Sequence, residues 1–446
     1  MNLKTYLPVY RKNLFLAVPV IFSQIGQVSV NLADTMMVGH VGTTELAAAS
    51  FAVNVFHVGM LLGIGITYGL TPLVGQSFGS KNTKELGSWL KSGTLTYLVI
   101  SIVLCALMSL AVLFMNRMGQ RDDVVRLAIP YYLIQVSSMV PLLIFFSFKQ
   151  FFEGIGNTKI AMAITIVSNL VNIGLNYILI YGKLGFPAYG LNGAGYATLI
   201  SRIIMPIIFI WVVLKRKSLR IYIIEAFHAS FDVIKLKRIL SIGLPIGGQL
   251  VIEILSFSLG AIMMGWISKE SLAGHQVAIS MASMTYMISF GLAAGTTIRV
   301  SHAFGDSDIH ELKHAIYASL HIVVAFMSLM GISFVLLRYQ LPLLFTSDPA
   351  VIEVASVLLV IGAFFQIFDG VQVVLLGALR GMADVRIPMY FAFFSYIVVS
   401  LPVSYVLSFN FGFGYSGVWI GFMFGLITAA ILFGLRLKYI LHKSSF

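Results

Sequence analysis

The sequence predicts an all-α integral membrane protein, with twelve transmembrane helices in two pseudo-symmetric six-helix bundles around a central cavity. Three observations carry that expectation. The 446 residues are 59% hydrophobic and only 10% charged, with a mean hydropathy of +0.94, far from the balance of a water-soluble domain. The chain contains twelve apolar stretches, each long enough to cross the hydrocarbon as a helix, for which about 20 residues suffice. Its two halves also repeat one another at a fixed spacing.

The apolar stretches run 14–39, 46–76, 89–115, 124–152, 160–181 and 190–214, then 238–265, 272–302, 314–337, 350–378, 387–409 and 416–440. They divide the chain into an N-terminal six-helix bundle (1–214), a cytoplasmic linker (215–237) and a C-terminal six-helix bundle (238–446). The first stretch follows Arg11 and Lys12, is too long for a signal-peptide core and carries Asp34 near its far end, so it is expected to stay as an uncleaved anchor. Pro19 removes a backbone hydrogen bond inside it and should kink it. Ser347-Asp348-Pro349 opens the tenth helix and leaves Glu353 as a first-turn acid favoured by the helix dipole. Cys105 is the single cysteine, so no intramolecular disulfide forms.

Sliding the chain over itself by 226 residues superposes Pro19 on Pro245, Leu46-Ala47 on Leu272-Ala273, Gly65 and Gly69 on Gly291 and Gly295, and Thr71 on Thr297. The same offset brings Phe78-Gly79 onto Phe304-Gly305 and Glu85-Leu86 onto Glu311-Leu312. One residue further out of step, the segment from Glu153 to Lys159 meets that from Arg380 to Arg386. Six helices per half is an even number, so both halves enter the membrane in the same sense, related by an axis along its normal. Duplicated helical halves of this kind are typical of secondary transporters.

The net charge of +12 does not signal nucleic acid. Arg117, Arg121, Arg126, Lys183, Lys269 and Arg338 fall on one side of the expected topology and Arg202 falls within a span. The other 22 of the 29 Lys and Arg lie in the termini, the alternate loops or the helix ends that adjoin them. By the positive-inside rule both termini are cytoplasmic, and the basicity reports topology and contact with anionic lipid.

Polar residues mark the candidate sites. Gln24, Gln27, Asn31 and Asp34 recur at i, i+3, i+7, i+10, an arc of roughly 80° on the first helix. Thr165, Asn169, Asn172 and Asn176 form a narrower stripe on the fifth. Asp34 and Asn176 each stand five residues before the outer end of their stretch, about 8 Å in, so facing stripes would hold a cation or water. In the second half, Gln249, Glu253 and Ser256 share a face of the seventh helix, Tyr286 lies mid-span in the eighth, and Gln366 and Asp369 pair at i, i+3 in the tenth. An ionised acid at mid-bilayer costs roughly 2.5–3.5 kcal/mol on insertion scales, so Glu253, Asp369 and Asp34 read as functional groups, offering oxygen to a hard ion or a proton. The Asn and Gln stripes serve equally well as interhelical hydrogen-bond glue. His310-Glu311-Leu312-Lys313-His314 fits the zinc-protease pattern H-E-x-x-H. It lies in an expected cytoplasmic loop, lacks a third ligand at a recognisable spacing and has no histidine in its repeat counterpart, which marks a chance match.

Ala17-Val18-Pro19 with Asp34 fifteen residues on, Leu46-Ala47-Ala48-Ala49-Ser50, and Ala273-Gly274-His275-Gln276-Val277 resemble, within twelve helices in two sixes, the multidrug and toxic compound extrusion (MATE) transporters of the bacterial NorM type. The resemblance implies a non-enzymatic multidrug antiporter of the bacterial inner membrane, exporting small cationic amphipathic compounds in exchange for Na⁺ or H⁺ by alternating access. No other cofactor is implied, and the expected unit is a monomer. It places the coupling ion at Glu253, Tyr286 and Asp369, with Asp34 as the first-half acid and Gln276 among the supporting polar groups. Relatives with a developed first-half site carry Asn then Asp four apart in the fifth helix. Here the pair is Asn172 and Asn176, which weakens a first-half cation site. The alternatives are a flippase-like exporter of a lipid-linked precursor and, from a different class, a membrane-embedded zinc metalloprotease.

Overall fold

The computed structural model describes residues 3–230 and 232–443; Phe231, within the expected linker, lies outside the described residues. Among the described residues, twelve helices are long and apolar enough to span a membrane: α1 (Tyr6–Gly39), α2 (Thr43–Gly79), α3 (Thr83–Met115), α4 (Asp122–Gly154), α5 (Thr158–Tyr181), α6 (Leu191–Lys215), α7 (Val233–Ile267), α8 (Lys269–Gly305), α9 (Ile309–Leu336), α10 (Pro349–Gly381), α11 (Arg386–Asn410) and α12 (Gly414–Lys443). Each apolar stretch falls within one of them to a residue, and among the described residues there is no strand. Between α6 and α7 the linker forms a helix of its own, Lys217–His228. Lys91 of α3 donates to the Ala229 carbonyl beyond that helix at 2.6 Å.

The repeat is visible in backbone detail. Asn82 caps α3 by accepting the Glu85 N–H, and Asp308 caps α9 by accepting the Glu311 N–H, at 3.2 and 2.9 Å. Each cap follows a residue in the left-handed region, Lys81 at φ 59° and Ser307 at φ 57°, which turns the chain sharply between antiparallel spans.

Packing divides the chain into two compact units, one comprising the residues up to Ile21 together with those from Gly248 on, the other Phe22–Gly247. The change of unit lies inside α1 and α7. Both crossings come two residues after the repeat-related prolines, Pro19 and Pro245. The helix of α1 continues through Pro19.

In the unit that holds α8–α12, the opening of α1 docks through Asn13, whose amide donates to Ala315 O (3.0 Å) and Ser319 Oγ (2.7 Å) of α9. Its core is built on Trp419, Phe422, Leu358 and Met264, all but inaccessible to solvent. Glycines let α8 and α10 approach closely: a Cβ on Gly377 would lie 2.6 Å from the Ala293 carbonyl oxygen and one on Gly381 2.8 Å from that of Thr297. In the other unit α2 breaks at Tyr68–Gly69, where a Cβ on Gly69 would lie 2.7 Å from the Gly243 nitrogen of α7. There α4 also breaks, at Ser138.

Candidate cation-binding sites

The second-half candidates come together. Gln249, Glu253 and Ser256 of α7 and Gln366 and Asp369 of α10 are all buried, and Tyr286 of α8 is half-buried. Glu253 lies within Coulombic reach of both Asp369 and Arg380. The Gln372 amide donates to Asp369 Oδ1 at 3.3 Å, and Arg380 Nη2 donates to Gln249 Oε1 at 3.4 Å. Gln366 also bonds between helices. It accepts from Thr285 Oγ1 (3.1 Å) and donates to Met327 O (3.3 Å), tying α8, α9 and α10 together one turn from Asp369.

Three residues of this cluster escaped the sequence reading. Tyr396 of α11 is buried and lies within Coulombic reach of Glu253, Asp369, Tyr286 and Arg380. It sits in a π-helical segment, Phe394–Ser400, a wider turn of the kind that recurs at functional sites, and its carbonyl accepts from Ser256 Oγ at 3.1 Å. Gln372 and Arg380 complete the set. Arg380 was counted with a loop, yet α10 runs on through Gly381 and the arginine is buried; Lys149 and Arg299 are likewise buried near helix ends. Among the described residues, Tyr396 Oη, Gln249 Nε2, Gln372 Oε1 and Ser289 Oγ are buried without a hydrogen-bond partner. Carboxylate, phenol and amide oxygens with spare valence are the donor set of a hard monovalent cation, and either carboxylate can take a proton instead.

The first-half candidates meet in part. The Asn176 amide donates to the Asp34 carboxylate and to Asn172 Oδ1 (3.2 Å), and Asn172 donates to Thr198 Oγ1 of α6 at 3.4 Å. The depth match between Asp34 and Asn176 is thus a direct contact. Glycine at position 26 makes room for α5, since a Cβ there would lie 2.9 Å from Asn169 Nδ2. Gln24 is half-buried, whereas Gln27 and Asn31 are exposed, so the α1 stripe engages α5 through Asp34. Gln276 is exposed, ten residues and about 15 Å along α8 from Tyr286, away from the second-half cluster. Its neighbour His275 accepts from Trp419 Nε1 at 3.0 Å, a packing role.

The H-E-x-x-H segment opens α9. The rings of His310 and His314 lie tilted at 46° with centres 4.1 Å apart, while Glu311 is bonded to Arg299 and sits 3.7 Å from Lys12. A glutamate held by two cations is not poised as a general base.

Twelve spans, a repeat expressed down to its caps, and buried acids in both halves define the architecture of a duplicated membrane transporter. The MatE family model matches residues 19–178 and 245–406, two segments whose starts are the repeat-related prolines. This chain belongs to that family, and to its bacterial NorM-type group. It is 32% identical to a probable multidrug resistance protein NorM of Mannheimia succiniciproducens over 97% of this chain and 94% of that protein. It is 31% identical to the multidrug resistance protein MdtK of Yersinia pseudotuberculosis over 98% and 97%. Among solved structures, a Vibrio cholerae MATE transporter matches with a TM-score of 0.88 at 17% identity over 99% and 98% of the two chains. A eukaryotic MATE transporter matches with 0.86 at 22% identity over 98% of each.

Proposed function

We propose that the chain is a multidrug efflux antiporter of the bacterial inner membrane, expelling small cationic amphipathic compounds in exchange for Na⁺ or H⁺. The observation that carries this reading is the meeting of Glu253 and Asp369, far apart in sequence, in one buried cluster with Tyr286 and Tyr396. Two like charges in a low-dielectric setting repel, so the cluster gains by taking up a cation or a proton. Coupling follows from competition. Ion uptake from outside neutralises the acids, weakens their attraction for an organic cation and releases it; ion loss inward restores the charge. Each ligand moves the equilibrium between outward- and inward-open states only by its difference in affinity for the two.

The first-half cluster, with one carboxylate among amides, is the weaker cation site and supports packing and hydration. The excess of Lys and Arg on one side supports a cytoplasmic position for both termini. A flippase for a pyrophosphate-linked lipid would need a basic site where this chain has paired acids, and the engagement of Glu311 removes the support for a protease. The test is efflux of a fluorescent organic cation from proteoliposomes under an imposed Na⁺ gradient and then under a pH gradient. One of the two should drive export against the substrate's own gradient; export driven by neither refutes the antiport reading.

A further inference from the structure

Each half places one arginine beside its acids, and neither arginine has a part in the cycle described so far. In the second half Arg380 lies eleven residues beyond Asp369 on α10, within roughly 20° of it around the helix axis. Helical side chains lean toward the N-terminus of their own helix. Because α7 and α10 are of opposite parity in the chain and run antiparallel, Arg380 leans toward the level of Asp369 while Glu253 leans toward Gln249, which Arg380 grips at 3.4 Å. In the first half Arg202 stands one turn after Thr198 on α6, at the end of the chain of contacts Asp34–Asn176–Asn172–Thr198. Its guanidinium donates to Ser138 Oγ at 2.5 Å, in the break of α4, and lies 5.5 Å from the centre of the Phe56 ring. α1 and α6 are also antiparallel, so Asp34 and Arg202 lean toward each other.

We propose that Arg202 and Arg380 are resident counter-cations that set how many coupling ions each half takes. In the first half one carboxylate faces one guanidinium, so the site is neutral by itself and holds a further cation too weakly to couple it. In the second half the guanidinium lies within reach of one carboxylate, Glu253, and leaves its neighbour Asp369 without a counter-charge, so this half is short by one positive charge and takes one monovalent cation per cycle. Among the described residues, the other ionisable groups within reach of these clusters are phenols, Tyr131 in the first half and Tyr286 and Tyr396 in the second. The repeat underlines the asymmetry. The position of Arg380 is filled in the first half by Glu153, which closes its own ion pair with Lys149 at 3.0 Å and leaves the Asp34 cluster to Arg202. The inference rests on the second-half coupling reading above and assigns Arg202 and Arg380 as positioning residues that fix stoichiometry.

The experiment is the number of coupling cations taken up per substrate expelled, measured in proteoliposomes from the ion gradient that just balances a fixed substrate gradient. Wild type should give one. Arg380→Gln and Arg202→Gln should each give one more, and Arg380→Lys and Arg202→Lys should return the wild-type value, which a purely structural arginine would not predict. Glutamine variants that transport with the wild-type ratio overturn the proposal. If Arg202→Gln yields too little folded protein, the double variant Asp34→Asn, Arg202→Gln must melt higher than Arg202→Gln alone; a double variant no more stable also overturns it. Failure of the coupling reading itself shows separately, as ion-driven export that survives loss of Glu253 and Asp369.

Discussion

Gly377→Ala tests whether close approach of α8 and α10 is what assembles the second-half cluster, since these helices carry Tyr286 and Asp369. The added Cβ would lie 2.6 Å from the Ala293 carbonyl oxygen and 3.1–3.2 Å from the carbon atoms behind it. Both partners are backbone, so no side chain can rotate aside. Ordinary contact requires α10 to retreat by about 0.8 Å, and a gap of that size forfeits roughly a quarter to a half of the dispersion attraction along the rest of the interface. It also stretches the 2.8 Å bond from Thr297 Oγ1 to the Gly377 carbonyl. Overpacking of this kind costs about 2 kcal/mol, which for a unit of this size lowers the melting temperature by roughly 4–8 °C. Thermal unfolding of the purified protein in detergent reads the first effect and ion-driven efflux in proteoliposomes the second, and both should fall. Gly174→Ala in α5 is the control, because its Cβ would meet nothing within 4 Å and a helical alanine is favoured over glycine by about 0.5–1 kcal/mol. If Gly377→Ala melts with the wild type and couples normally, the small-residue contact does not hold the cluster.

Lys149→Met should destabilise the protein by about 3–5 kcal/mol by stranding buried Glu153, whereas Lys149→Met with Glu153→Leu should recover most of that; equal melting of single and double variants contradicts the buried pair. Asn176→Ala removes the amide that binds the Asp34 carboxylate, at a cost of roughly 1.5–3 kcal/mol in unfolding measurements, while ion-driven export through the second half persists. Trp419→Phe leaves buried His275 Nδ1 without its donor and should cost about 1–3 kcal/mol; a neutral result in the same melting assay would mean the contact at 3.0 Å carries no stability.

The spans were legible because lipid leaves the backbone no choice but helix, and because apolar length alone separates a span from a loop. Glu253, Asp369 and Asp34 stood out for the same reason: an acid in an apolar run has to be explained. Helix length hid Arg380. At 33 residues α10 is about 50 Å long, well beyond a hydrocarbon core of about 30 Å, so its last turns carry charge and read as loop although the side chain leans back into the protein. Tyr396 was hidden by its setting, an aromatic run in which a tyrosine looks like any other lipid-facing ring. Only the π-helical turn, which no residue pattern announces, makes the difference. The polar stripe on α1 gave the face but not the neighbour. Periodicity aligned Gln27 and Asn31 with Asp34, and only the depth argument picked out the residue that meets α5.

The central claim is that Glu253 and Asp369 couple ion entry to substrate exit. Its most direct measurement is substrate transport by Glu253→Gln and Asp369→Asn in proteoliposomes, with and without the driving ion gradient. Removing one charge about 4 Å from a bound cation, at an effective dielectric of about 20, forfeits about 4 kcal/mol of attraction, close to a thousandfold in ion affinity. Both variants should therefore still exchange substrate down its own gradient and lose accumulation driven by the ion. Ion-driven export at the wild-type rate in either variant would contradict the account.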